Sequence, residues 1–169
     1  MRHDEDSSNT TSFFINDEIL LGDESIQDLI VCLNSCKEGH NINIHLNTIG
    51  GDLSAAYQIV NGISRCKGKV WTIADGDVMS AGSLIFFSGH ILDVGPHCSF
   101  LLHKIQASKS GSLNDILSEV KHMTEVVKNF YYSCYRPYYS KAQIDRVLQG
   151  EDLYETSKKV QKRVDRVGL

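Results

Sequence analysis

Two prolines and a single tryptophan are spread over 169 residues, and apolar runs such as Leu84-Ile85-Phe86-Phe87 are short. A membrane-spanning helix needs about 20 consecutive apolar residues, so no membrane span is expected. The stretch Met1–Thr11 is polar and acidic and lacks the apolar segment of a secretory signal. A cytoplasmic protein is the expectation. Basic charge is also scarce: 17 Lys and Arg against 21 Asp and Glu leave a net charge of −4. With no basic face to neutralise phosphates, a nucleic-acid partner is not expected. The five cysteines (Cys32, Cys36, Cys66, Cys98, Cys134) are odd in number and contain no C-x-x-C pair. That argues against a disulfide framework and against a zinc site. The histidines show no H-E-x-x-H spacing. No metal and no cofactor is expected.

What is present is an ordinary globular composition, 41% hydrophobic and 22% charged. The length suits one domain, assigned to 12–169 after a disordered tail over 1–11. Short strand-like runs are expected at Phe13–Ile15 and Ile19–Leu21. Ile26, Leu29, Ile30 and Leu33 keep the i, i+3, i+4, i+7 spacing of an amphipathic helix that starts near Asp23 or Ser25 and ends at Gly39. Asn41–Leu46 alternates as a strand does. A glycine turn, Asn47–Asp52, leads into a helix with Leu53, Ala56, Tyr57, Val60 and Ile63 on one face. A third strand, Lys69–Ala74, feeds the segment around Ser80 and a helix from Ser80 to about Ser88. Runs at Ile91–Val94 and Ser99–Leu102 read as strands, and the polar stretch Lys104–Ser112 as a loop. A long helix then carries Leu113, Ile116, Leu117, Val120, Met123, Val127, Phe130 and Tyr131 until Pro137 stops it. Shorter helices are expected over Ser140–Gln149 and Thr156–Val167. Helices alternating with short apolar strands give an α/β fold built from βαβ units.

Ser80 stands at a strand-to-helix junction, where orphan backbone N–H groups favour negative charge. Serine is also a favoured helix cap, so Ser80 on its own reads either as a cap or as a nucleophile. Acyl transfer needs a base, a group to orient that base, and N–H donors for the oxyanion. His103, closing the Ser99–Leu102 run, is the base candidate. Gly50-Gly51 is a candidate oxyanion donor as well as a plain turn. For the acid, Asp115, Glu119, Glu125, Asp145, Glu151, Asp152, Glu155 and Asp165 all follow His103, and spacing does not choose among them. Asp152 follows the helix-ending Gly150, a position suited to a side chain aimed into a cleft.

Four blocks together resemble the ClpP family, the proteolytic subunits of Clp proteases. Asn47-Thr48-Ile49-Gly50-Gly51-Asp52-Leu53-Ser54-Ala55 is similar to the family's N-S-P-G-G-x-x-x-A turn. Gly76-Asp77-Val78-Met79-Ser80-Ala81-Gly82-Ser83 is similar to its G-x-A-A-S-M-G-A segment. Phe100-Leu101-Leu102-His103 matches its x-M-I-H strand, and Glu151-Asp152-Leu153-Tyr154-Glu155-Thr156 its R-D-x-F-x-S stretch. The blocks are collinear from about Phe13 to Gly168. The resemblance implies a ClpP/crotonase-like fold of repeated β-β-α units with a protruding handle helix. It also implies a serine endopeptidase with Ser80 as nucleophile, His103 as base and then acid, Asp152 as orienting carboxylate, and Gly51 and Ala81 as oxyanion donors. It further implies homo-oligomeric rings, in the family two stacked heptamers, and an AAA+ unfoldase partner that alone would use ATP. The chain order Ser, His, Asp and the valine at position 78 argue against an α/β-hydrolase, which needs G-x-S-x-G.

The sequence departs from the family at Ile49 (usually proline), at Lys104-Ile105 (usually Gln-Pro) and at Glu151 (often arginine). In place of the family's glycine-rich substrate strand it has Gln106-Ala107-Ser108-Lys109-Ser110-Gly111. Substrate preference is therefore expected to differ. The segment before the first strand is short, so docking of an unfoldase is the implication carried least. Tyr131, Tyr132, Tyr135, Tyr138 and Tyr139 crowd the end of the long helix, as an association surface or as a half-buried helix end. Two other classes stand beside the peptidase: a catalytically silent ring subunit or scaffold, and a crotonase-type acyl-CoA enzyme that shares the fold.

Overall fold

The computed structural model describes residues 3–6, 9–106 and 110–168. Its strands are β1 (His3–Asp6), β2 (Thr10–Ile15), β3 (Asn41–Thr48), β4 (Lys69–Met79), β5 (Ile91–Val94), β6 (Ser99–Leu102) and β7 (Leu153–Thr156). Its helices are α1 (Glu24–Ser35), α2 (Leu53–Arg65), α3 (Ala81–Phe86), α4 (Leu113–Tyr135), α5 (Lys141–Gln149) and α6 (Ser157–Val167). The strands form one sheet in the order β1-β2-β3-β4-β6-β7, with β5 beside β4. Strands β2, β3 and β4 are mutually parallel, as the βαβ reading requires, and α1 and α2 are the crossovers.

The pleat sorts the sheet into two faces. Phe13 and Ile15, then Ile42, Ile44 and Leu46, then Val70 and Ala74 point to one side and are buried. They meet Ile26, Leu29 and Leu33 of α1 and Ala55, Ala56, Ile59 and Ile63 of α2 in one core. Each buried Val, Leu, Ile or Phe side chain among them contributes about 1.5–3 kcal/mol by leaving water. The alternate residues Phe14, His45, Trp71 and Ile73 are half-buried on the other face. Helix α1 opens on Asp23, whose carboxylate accepts from the Ser25 hydroxyl and from the Ile26 and Ser25 amides; these bonds, the hydroxyl's first, hold it below the usual aspartate range.

Four elements differ from the sequence expectation. No strand forms at Ile19–Leu21, where Ile19 makes only an isolated bridge to Gly51. The stretch expected to be a disordered tail contains β1, which pairs antiparallel with β2, and Thr10 and Thr11, which pair with β3; ladder hydrogen bonds order it despite its polar composition. The tail residues 1–2 and 7–8 lie outside the described residues. Strand β4 does not stop at Ala74. A register shift between Leu46 and Thr48, with the Asp77 amide donating to Asn47 Oδ1 at 3.1 Å, carries it past Asp75-Gly76-Asp77 to Met79. A β-bulge of this kind absorbs residues that read as a turn. The first half of β4 pairs with β5 and the second half with β6. Finally, β7 stands between the two C-terminal helices, where no strand was expected, and it runs antiparallel to β6.

Helix α4 is buried only at its C-terminal end, through Tyr131, Cys134 and Tyr135. Its first turns stand clear of the core, with Leu113, Leu117 and Val120 exposed at 73%, 60% and 53%. Tyr131, Tyr135, Tyr138 and Tyr139 are core residues; Tyr135 and Tyr139 meet Phe87 and each other edge-on, Tyr131 meets Tyr135 edge-on, and Tyr138 lies tilted on Phe87. They offer no association surface; Tyr132 alone of the group stays half-buried and donates to Asp145. No described helix is long and apolar enough to cross a membrane.

Candidate active site

The bulge in β4 delivers Ser80 to the edge where β6 ends. The Ser80 amide donates to Leu101 O at 2.9 Å, and Met79 pairs with Leu101 in the parallel β4–β6 ladder. Ser80 takes φ 52° and ψ −122° and is the one non-glycine residue with positive φ among those described. That conformation costs on the order of 1–3 kcal/mol unless its surroundings enforce it. The serine does not act as a helix cap: its side chain makes no capping bond to α3. Its Oγ lies 2.7 Å from His103 Nε2. With the imidazole proton on Nδ1, Nε2 accepts the Ser80 hydroxyl.

The glycine turn packs directly against this serine. Gly50 (φ 97°) and Gly51 (φ 147°) occupy conformations that favour glycine. A Cβ on Gly50 would sit 2.6 Å from Ser80 Cβ and 3.0 Å from the Ala81 nitrogen, and one on Gly51 would sit 2.2 Å from Ile19 O. Ile19 N donates to Gly50 O at 2.8 Å and Asp52 N to Ile19 O at 2.7 Å, while Thr48 Oγ1 accepts from Gly50 N at 3.0 Å. These bonds leave the Gly51 and Ala81 N–H groups without an acceptor among the described residues. Both border a cleft of about 650 Å³ that also holds Ser80 and His103. Its apolar walls include Leu53, Tyr57, Leu84, Ile105 and Met123.

Asp152 is placed differently. It is exposed, and no hydrogen bond links it to His103 among the described residues. The β6–β7 ladder ends at the pair Leu102–Leu153, one residue short of both His103 and Asp152. Several rival carboxylates have other partners: Asp115 with Ser112, Asp145 with Lys141 and Tyr132, Glu151 with Arg146, Glu155 with Arg163 and Asp165 with Gln161; Glu119 and Glu125 lie on α4. Among the described residues, no group of three or more His, Cys, Asp or Glu side chains is arranged to hold a metal ion. Within the altered segment after His103, residues 107–109 lie outside those described.

Three hydrogen bonds were not foreseen. The Tyr131 hydroxyl donates to His103 O at 2.6 Å. Tyr135 and Ser83 share a 2.7 Å hydrogen bond, and Ser83 Oγ donates to Ser80 O at 2.7 Å. Burial pushes both phenols well above the ordinary tyrosine value. The only trace of this in the sequence is the i, i+4 spacing of the two tyrosines.

The profile of the Clp protease family matches residues 8–152 of the chain. The chain belongs to the Clp protease family. The span that matches the Clp protease profile contains Gly51, Ser80, Ala81, His103 and Asp152. Among similar Clp protease sequences is the ATP-dependent Clp protease proteolytic subunit 2 of Borreliella burgdorferi, 30% identical over 104 residues, 60% of this chain and 52% of that protein. Proteolytic subunit 3 of Rhizobium meliloti is 32% identical over 90 residues, 52% of this chain and 45% of its own. The Porphyromonas gingivalis proteolytic subunit is 27% identical over 111 residues, 63% and 49% of the two chains. The chain thus spans about half the length of the curated relatives it matches.

Proposed function

We propose that this chain is a serine endopeptidase subunit that hydrolyses peptide bonds of unfolded proteins and peptides within a chamber of its own copies. The observation that carries the reading is the 2.7 Å contact between Ser80 Oγ and His103 Nε2, made by a serine held at positive φ and not capping its helix. In the proposed reaction Ser80 Oγ attacks the scissile carbonyl carbon as His103 Nε2 takes its proton. The oxyanion is received by the Gly51 and Ala81 N–H groups, and the imidazolium then protonates the leaving amine. Water, deprotonated by the same His103, releases the acyl group and restores Ser80. Loss of one oxyanion donor in such a site costs on the order of 10²–10³ in kcat. Asp152 is the proposed orienting carboxylate: extending the β6–β7 register by one residue beyond Leu102–Leu153 would place it across from His103, and its side chain would turn to Nδ1. The chemistry requires no cofactor.

The assembly is also a proposal. The exposed apolar stripe of α4, Leu113, Leu117, Val120 and Met123, would be covered by a second ring. Relatives are named subunits of ATP-dependent proteases, and by that likeness a partner unfoldase would consume the ATP. A cytoplasmic location is proposed with it. A second reading, a catalytically silent ring subunit, is favoured by one observation: Asp152 is exposed and not bonded to His103.

Labelling with a fluorophosphonate probe, combined with native mass measurement, separates the two. The peptidase reading expects one label per chain on Ser80, lost in Ser80→Ala, cleavage of a short fluorogenic peptide, and at least a tenfold loss of kcat in Asp152→Asn. Ring-sized particles that neither label nor cleave would sink it in favour of the silent subunit.

A further inference from the structure

We infer that Tyr131 and Tyr135 are positioning residues that set Ser80 against His103, an assignment that rests on the peptidase reading above. Ser80 and His103 lie on separate segments, one beyond β4 and one beyond β6. A proton can pass between them only if both backbones are fixed relative to each other. The β4–β6 ladder holds them at Met79 and Leu101, but His103 stands beyond the last paired residue, Leu102. Its carbonyl is held instead by the Tyr131 hydroxyl at 2.6 Å.

On the serine side, the backbone is strained and needs its surroundings to hold it. The Ser80 carbonyl accepts from Ser83 Oγ at 2.7 Å and Ser83 N at 3.0 Å. The Ser83 hydroxyl is committed as a donor to Ser80, so it can only accept from Tyr135, and the chain of donors runs Tyr135 to Ser83 to Ser80. Tyr131 and Tyr135 are one turn apart on α4 and pack edge-on with their centroids 5.4 Å apart. One turn of one helix therefore carries two hydroxyls, each leading to the carbonyl of one reacting residue. Phenylalanine would fill the same space; the hydroxyls serve the two carbonyls. Neither tyrosine donates to the reacting atoms, so their effect passes through the angle at which Ser80 Oγ meets Nε2. Near-attack geometry of this kind is sensitive to small displacements.

The test compares wild type with Tyr131→Phe, Tyr135→Phe and Tyr135→Phe/Ser83→Ala by peptide hydrolysis, fluorophosphonate labelling rate and thermal denaturation. Tyr131→Phe is expected to lower kcat and the labelling rate about tenfold, with KM within twofold, at temperatures where the variant is fully folded. Tyr135→Phe alone loses less, because Ser83 still reaches Ser80, and the double variant loses at least as much as Tyr131→Phe. Lower melting temperatures with kcat and labelling rate within twofold of wild type would overturn the assignment. Should Tyr131→Phe not fold, a fluorotyrosine at position 131 keeps the hydroxyl and strengthens it as a donor. A labelling rate that changes with donor strength supports the assignment, and an unchanged rate overturns it. Wild type that neither labels nor cleaves would show that the peptidase reading itself has failed, before any variant is compared.

Discussion

At the scale of single residues, the serine at position 80 carries two features that separate cleanly by substitution. Its hydroxyl meets His103, and its backbone sits at φ 52°, where a Cβ is unfavourable. Ser80→Ala removes the hydroxyl and keeps the strain. Ser80→Gly removes both, at the entropic disadvantage glycine always brings. The glycine variant is expected to be more stable than the alanine variant by about 1 kcal/mol, read as a shift in denaturant midpoint with unchanged slope, and both are expected to be inactive. A midpoint no higher for glycine would mean that the surroundings impose no strain there. The nucleophile candidate was legible in the sequence because small residues follow a strand at a helix start, but its backbone conformation was not. The close packing around that backbone involves Gly50, from a distant part of the chain, where a Cβ would lie 2.6 Å from Ser80 Cβ.

Among elements, the C-terminal pair β7 and α6 is tied to the body by a buried charge. Glu155 and Arg163 are joined at 2.6 Å with side chains 4% and 16% exposed. Tyr139 donates to the same carboxylate at 2.9 Å, and the guanidinium also reaches Tyr138 O at 3.2 Å. Removing one partner of such a pair leaves the other charge uncompensated. Glu155→Gln is therefore expected to cost about 3 kcal/mol, visible as a lower melting temperature; a loss under 1 kcal/mol would show that water reaches the site. Since β7 carries the backbone of the Asp152–Leu153 corner, the variant also tests how firmly that corner is held.

Long periodic elements were the readable ones. The apolar spacing of α1 and α2 and the alternation of β3 predicted elements that the structure contains. Of the parts that escaped, β7 and the second half of β4 have in common that distant pairing overrides local composition, whereas β1 is a local hairpin with β2 whose polar residues hide it. Asp75-Gly76-Asp77 is a turn by propensity and a bulged strand because β3 and β6 flank it. For the acid, carboxylate spacing could not choose; the fold takes Glu155 out of the set by pairing it with Arg163, a contact between side chains eight residues apart that spacing does not show.

For the whole molecule, the tyrosine-rich core makes stability depend on alkaline pH. Tyr131, Tyr135, Tyr138 and Tyr139 have phenols raised by burial. In the unfolded chain they ionise near pH ~10, so above that pH the unfolded state binds fewer protons and stability falls as pH rises. Cys66, pushed up to about 11 by burial with the Cys36 thiol beside it, acts with the same sign from a slightly lower pH. The stability these groups contribute is fully present below pH ~9 and is lost progressively above it. Denaturant midpoints measured from pH 8 to 11 should fall steeply, and less so in Tyr139→Phe; a flat profile would contradict the buried, neutral state of the phenols.

The unbroken run of β4 into Ser80 has a consequence for how the protein is lost as well as how it is built. Because the serine hangs on the central strand by its own amide bond to Leu101 and no loop intervenes, that amide should exchange with deuterium only when the whole sheet opens. Catalytic competence and global structure should then disappear at the same denaturant concentration, leaving no range in which a folded chain carries a melted site.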